Sequence, residues 1–213
     1  MTNNFPYSQF FSAEFLKSSN HLISEQCGDL ASIYKDQIGL SIWTPPASED
    51  REIYAKQLAS KNFQFKQVLK ADEAYECLDD LPNYPGVYKM RKWIAELIDI
   101  FATLFGLEQV GLRISSRNAP MCPRFHIDHV PVRLIHSLYG DSCQWAYDPV
   151  FLQTENKTNE CLNVLEQTAQ IRQAPPGSVV IMKGTKWKEG IPPVIHRSPM
   201  HKEARVVMTL DFA

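Results

Sequence analysis

Two spacing rules divide this chain. Up to about Phe105, apolar residues recur at three- and four-residue steps, as they do on the buried stripe of a helix. The clearest case lies between Val87 and Phe105, where Ile94, Leu97, Ile98, Phe101 and Phe105 fall on one side of a helical wheel. A second helix is predicted over Glu49 to Ser60, with Ser48 as its N-cap. Glu49, Asp50 and Glu52 sit in its first turn, where carboxylates meet the positive end of the helix dipole. The clusters "TPPASED" and "LPNYPG" break the chain ahead of these helices, because proline and glycine resist helix continuation.

From Val110 onward the pattern changes. "VGLRISSRN", "RFHIDHV", "VRLIHSLYG", "SVVIMKG", "PVIHRSP" and "RVVMTLDF" are short, rich in β-branched or aromatic residues and bounded by turn formers. Each is predicted as a strand. "CQWAY" and "AQIRQA" are weaker candidates, and the polar "DPVFLQTENKTNECLNVLEQ" reads as an excursion from the scaffold. The expected fold class is α+β, with a small antiparallel barrel or double-sheet roll and N-terminal helices packed on one sheet. In this reading residues 1–106 are a mainly helical region that buttresses the core, residues 107–213 carry the strands and the candidate chemistry, and the two make one compact unit.

Composition narrows the function classes. A chain of 213 residues, 44% apolar and 22% charged, has the ordinary globular balance and length for one sizeable core. A formal net charge of -2 supplies no bulk positive field for nucleic acid or an anionic membrane. Only a local cluster of Arg113, Arg117, Arg124 and Arg133 is basic. The N-terminus shows no basic start followed by an apolar run, so no secretory signal is expected. "WIAELIDIFATLFGL" is broken by Glu96 and Asp99 and falls short of the ~20 residues a spanning helix needs, so a cytoplasmic location without membrane contact is expected. The 5 cysteines are scattered, odd in number and form no CxxC pair, which argues against a disulfide framework or a zinc ribbon.

The candidate chemistry lies in "CPRFHIDHVPVRLIH", Cys122 to His136. In a strand, residues i and i+2 share a face, so His126 and Asp128 project together while Phe125, Ile127 and His129 face the other way. A third histidine from a later strand would complete a two-His-one-carboxylate triad that leaves coordination positions open. His129, His136, His196 and His201 are the candidates, and His196, after "PPVI", is favoured. Further on, Arg205 shares a face with Val207, Thr209 and Asp211, opposite Val206, Met208, Leu210 and Phe212. A buried arginine needs an anionic partner, so Arg205 reads either as an ion-pair partner of Asp211 or as a clamp for the far carboxylate of a small diacid. Two plainer readings stay open: His126 and Asp128 as a hydrogen-bonded couple, and a zinc site that includes Cys122. Trp145, Tyr147, Phe151 and Trp187 are expected to pack the barrel and its loops rather than stack nucleobases.

His126-x-Asp128, His196 and Arg205 resemble the iron and co-substrate signature of the Fe(II)/2-oxoglutarate-dependent oxygenases. "PPGSVVIMKG" looks like the proline–glycine turn and apolar strand found there, and the resemblance covers roughly Val110 to Ala213. It implies a double-stranded β-helix, jelly-roll or cupin-like. It further implies Fe(II) held by His126, Asp128 and His196, with 2-oxoglutarate held by Arg205 as a small-molecule co-substrate. The activity implied is that of an oxidoreductase, such as a hydroxylase, whose primary substrate the sequence does not identify. Such oxygenases often place serine or threonine two residues after the arginine, where this chain has Val207. Thr209, one pleat further, is the substitute, and Arg133 and Tyr139 are alternative carboxylate binders unless Pro131 disrupts their register.

"CPRFHIDHVPVRLIHSLYGDSCQW" and "IHRSP…RVVMTLDF" are also similar to the most recognisable blocks of a bacterial family, domain of unknown function 1826, across most of the chain. That family's association with zinc-homeostasis genes implies an alternative: a zinc-binding, cupin-like protein without oxidative activity, its metal completed by Cys122 or His129.

Overall fold

The computed structural model describes residues 20–147, 170–200 and 203–213. In chain order the strands and α-helices, apart from short 3-10 turns, are β1 (His21–Ser24), β2 (Leu40–Trp43), α1 (Glu49–Ala59), β3 (Gln64–Lys70), α2 (Val87–Phe105), β4 (Gln109–Arg117), β5 (Val132–Tyr139), β6 (Gln144–Tyr147), β7 (Gln170–Gln173), β8 (Val179–Lys183), β9 (Ile195–Arg197) and β10 (Arg205–Phe212). Helix α2 follows the apolar stripe and buries Met90, Trp93, Ile94, Leu97, Ile98 and Phe101. It begins after Gly86, at φ 88°, where an added Cβ would lie 2.1 Å from the Asp50 carbonyl oxygen of α1. Glycine there permits both the left-handed turn and the close approach of the two helices. Ser48 stands at the N-cap of α1, but its side chain makes no capping hydrogen bond.

Seven strands form the major sheet in the order β1-β2-β8-β5-β10-β4-β3, antiparallel except for the β1–β2 pair. Three form the minor sheet, β7-β6-β9, which a single bridge between His126 and His196 extends by one position. From β4 onward the chain shuttles between sheets: β4 major, His126 minor, β5 major, β6 and β7 minor, β8 major, β9 minor, β10 major. One face of the major sheet, with Leu112, Ile114, Leu134, Ile181, Met208 and Leu210, packs into the same core as α1 and α2. Its other face, with Leu40, Ile42, Ile135, Val180 and Met182, packs against Trp145 of the minor sheet. A central strand covered on both faces cannot alternate, which explains the unbroken "VVIM" run of β8.

Two expectations are corrected. The stretch up to Phe105, read as mainly helical, also contains β1, β2 and β3, so the major sheet takes strands from both sides of residue 106. "LSIW" is four residues long and becomes a strand by pairing with β8, while β3 pairs with β4; neither partner is visible locally. "RFHIDHV" is not a full strand but one bridged residue, His126, followed by a loop. The segment "DPVFLQTENKTNECLNVLEQ", except for its neighbours in β6 and β7, lies outside the described residues, as do Phe151, Cys161 and His201. Cys27, Cys77, Cys122 and Cys143 are free thiols. Among the described residues no helix is long and apolar enough to cross a membrane.

His136 belongs to the helix-side core rather than to a metal. Trp93 Nε1 donates to its Nε2 at 3.0 Å, and its Nδ1 stands 3.0 Å from the Ser178 carbonyl, which requires the Nδ1–H tautomer. Burial pushes its pKa down to about 4, with the Ser178 carbonyl opposing that fall. The folded ring therefore stays neutral where the unfolded one, with the ordinary value near 6.5, takes up a proton. Its contribution to stability is complete above about pH 6.5 and is lost as pH falls toward 4. Urea unfolding at pH 7 and pH 4.5 should show wild type losing roughly 2–3 kcal/mol more than His136→Gln across that interval.

Candidate metal centre

His126 and His196 meet across the edge of the minor sheet. Each backbone N–H donates to the other's carbonyl, at 2.9 and 3.0 Å, and the ring centroids are 4.3 Å apart. Asp128 is placed differently, by a loop laid against the end of β8. The Thr185 N–H donates to the Asp128 carbonyl at 2.9 Å and the Gly184 N–H to the Pro131 carbonyl at 2.8 Å. A Cβ on Gly184 would lie 2.1 Å from the Val130 oxygen and 2.8 Å from that of Asp128, so the loop can sit there only against glycine. The outcome is one cluster: His126, Asp128 and His196 each offer a ligand atom within 4.8 Å of the others. His196 Nε2 stands 3.4 Å from Asp128 Oδ2, and His126 Nε2 stands 3.9 Å from Oδ1.

The donor set suits a divalent transition metal. His126 Nδ1 faces the Arg124 carbonyl at 3.1 Å, and His196 Nδ1 faces the Val194 carbonyl at 3.3 Å. A carbonyl only accepts, so each ring carries a hydrogen on Nδ1 and turns its Nε2 toward the cluster. Burial pushes the His196 imidazole well below its ordinary range, while Asp128 pulls the other way; the ring is held neutral, as a ligand requires. Asp128 Oδ2 is buried and accepts no aligned hydrogen bond, although Arg133 Nη1 forms an ion-pair contact with it at 2.9 Å. Arg133 turns its fork onto Asp211 instead, Nε to Oδ1 at 2.6 Å and Nη2 to Oδ2 at 3.0 Å. Burial opposes the Arg133 charge, yet Asp211 and Asp128 outweigh it and raise the pKa. Two carboxylates against one guanidinium leave a residual negative charge beside the two imidazole rings, which fits a divalent cation.

Arg205 is the second notable group. It is 5% exposed, and it donates to the Asp141 carbonyl, to Ser137 Oγ at 3.0 Å and to Ser198 Oγ at 3.2 Å. None of these is a carboxylate, and Asp211 is taken by Arg133, so the Arg205–Asp211 pair does not form. Burial accordingly lowers the Arg205 pKa. Ser198 lies two residues beyond His196, so its hydrogen bond ties Arg205 to the segment that carries His196. Across β6–β9, Trp145 is the register partner of His196, and its indole Nε1–H is buried without an acceptor among the described residues.

The other candidates fall outside this set. Thr209 is half-buried on β10, registered with Ile135 and Arg113, on the face shared with Val207. Tyr139 does not keep step with Arg133: the register shift in β5–β10 sets it opposite Val206, and it packs on the helix-side core. His129 is exposed, 3.2 Å from Thr185 Oγ1, and Cys122 is exposed. Neither joins the cluster among the described residues. Sequence reading missed Gly184 and Thr185, whose only signal was the glycine ending the apolar β8 run, and Ser137 and Ser198, which carry none. A cavity of about 420 Å³ is lined by Arg51, Trp93, Tyr139 and Asp141 among others, and by none of His126, Asp128 and His196.

Comparison with solved structures finds likeness of fold at low identity. The dioxygenase for auxin oxidation from rice aligns at a TM-score of 0.50 and 14% identity, over 92% of this chain and 83% of that one. A full-length Neurospora crassa protein in complex with alpha-KG gives a TM-score of 0.47 and 10% identity, over 88% and 78% of the two chains. A Pseudomonas putida prolyl-4-hydroxylase gives 0.47 and 11%, over 87% and 97%. No curated protein matches the sequence. One family does, over residues 24–211, and on that match the chain belongs to the family Protein of unknown function (DUF1826).

Proposed function

We propose that this protein is an Fe(II)/2-oxoglutarate-dependent oxygenase, a hydroxylase in reaction class, built on a double-stranded β-helix. The carrying observation is the convergence of two Nε2 atoms and one carboxylate within 4.8 Å, drawn from a loop and two bridged backbone positions. The shuttling of the chain from β4 to β10 between two sheets supports the scaffold. The likeness to the rice dioxygenase supports it as well.

His126, Asp128 and His196 would hold the iron, which would supply reduction of one dioxygen, its two oxygen atoms passing to succinate and to a substrate C–H bond as 2-oxoglutarate loses carbon dioxide. Arg133 fixes the Asp128 carboxylate and is itself held by Asp211, so the ligand keeps its direction. Arg205, with Ser137 and Ser198, would receive the far carboxylate of the co-substrate; its hydrogen bond to Ser198 puts it near the segment that carries His196. Thr209 offers a hydroxyl on the same face, and the Trp145 N–H offers a donor to a ligand oxygen. The apolar wall of Leu40, Ile42, Ile135, Val180 and Met182 keeps bulk water from the interior.

Anaerobic addition of Fe(II) and then 2-oxoglutarate should produce the weak visible charge-transfer band of a chelated 2-oxo acid, and air should then yield succinate. Absence of both defeats the proposal. Stoichiometric zinc that Fe(II) does not displace would support the zinc reading instead.

A further inference from the structure

The major sheet continues past the metal-bearing edge as β4 and β3, and the face it presents there is basic. Outward positions alternate as the pleat requires: Gln64, Lys66, Val68 and Lys70 on β3, and Gln109, Arg113 and Arg117 on β4, are exposed. No aspartate or glutamate occupies these positions. Lys66 and Arg113 are direct register partners, and Arg117 is the register partner of Arg205. Like charges set opposite each other on neighbouring strands destabilise a sheet, so this arrangement works against folding. Lys70 is paired with Glu73, but Lys66 and Arg113 have no acidic partner among the described residues. The face is continuous with the metal centre. Asp211, which holds Arg133, is in register with Gly111 on β4, and Arg113 follows one pleat later beside Thr209.

We infer that this face binds an acidic, extended polypeptide segment, and, resting on the oxygenase reading, that the segment belongs to the primary substrate. Arg113 and Arg117 are four residues apart on one strand, about 13 Å, too far for one small anion to engage both. The ligand therefore carries several negative groups in a row. A nucleic acid strand is the poorer fit, because none of the exposed β3 and β4 positions is an aromatic on which bases could stack. An extended peptide presents side chains on one side at about 7 Å intervals, the same repeat as the sheet beneath it.

The test is fluorescence anisotropy of the full chain, metal-free and at low salt, with a labelled peptide of alternating glutamate and serine. A lysine–serine peptide and an oligothymidylate of equal charge magnitude serve as comparisons. The acidic peptide should bind, and the variant Lys66→Ser/Arg113→Ser/Arg117→Ser should weaken it at least about tenfold. Lys66→Glu alone should both weaken binding and raise Tm, since it turns a repulsive cross-strand pair into an attractive one. Unchanged binding by the triple variant, or tighter binding of the oligothymidylate, overturns the inference. No iron or 2-oxoglutarate is present, so failure here leaves the oxygenase reading intact, and failure of that reading leaves this result standing.

Discussion

Asp128→Ala is expected to bind Fe(II) more than about 100-fold more weakly than wild type while remaining folded. The substitution removes the one carboxylate of the His126, Asp128 and His196 cluster and leaves Arg133 beside the two imidazole rings, cancelling the residual negative charge that favours a cation. Folding should survive because Arg133 keeps its two-point contact with Asp211 and is not left as an unpaired buried charge. Asp211→Ala is the informative contrast. It leaves all three ligands in place but releases the Arg133 fork, so stability should fall while metal still binds. Anaerobic equilibrium dialysis with metal analysis, alongside thermal melts, separates the two effects. An Asp128→Ala protein that keeps iron at wild-type affinity would remove the metal centre from the account.

Arg205→Met should weaken 2-oxoglutarate binding by about 30-fold or more, and should leave the stability of the ligand-free protein unchanged or raised. The two signs have one origin. Among the described residues this guanidinium, 5% exposed, is hydrogen-bonded only to neutral oxygens, so it has lost hydration without a carboxylate in contact and is costly until one arrives. Its removal strands nothing: the Asp141 carbonyl already accepts from Ser137 Oγ at 3.1 Å, and both serine hydroxyls can reorient. Arg205→Lys keeps the charge but not the fork and should fall between. Calorimetric titration of 2-oxoglutarate into the Zn(II)-substituted protein gives the affinity, and melts give the stability. A lowered Tm with unchanged affinity would make Arg205 a structural residue.

Much of the site was legible from residue types and short spacings. His126, Asp128, His196 and Arg205 are the ligand-type residues of strand-like segments, and the structure gathers the first three. The reason inferred for the His126–Asp128 pairing was only half right, because the segment is not a continuous strand. A loop bonded to Gly184 and Thr185 directs the carboxylate, and that contact joins residues more than fifty positions apart. Parity failed at Tyr139 for a related cause: one extra residue in β5 against β10 reverses the face of everything beyond it.

By itself, then, the sequence determined what depends on neighbours along the chain: the stripe of α2, the alternation of β4 and β10, the unbroken apolar run of β8, and the stock of imidazoles and carboxylates. Only the tertiary structure decided what depends on partners across space. It made strands of β1, β2 and β3, packed His136 against Trp93, gave Asp211 to Arg133, and, among the described residues, left Arg205 hydrogen-bonded to no carboxylate. Periodicity is a local property of the backbone, whereas coordination and ion pairing are set by register and by which buried charges can find each other, and neither is written in any short window of residues.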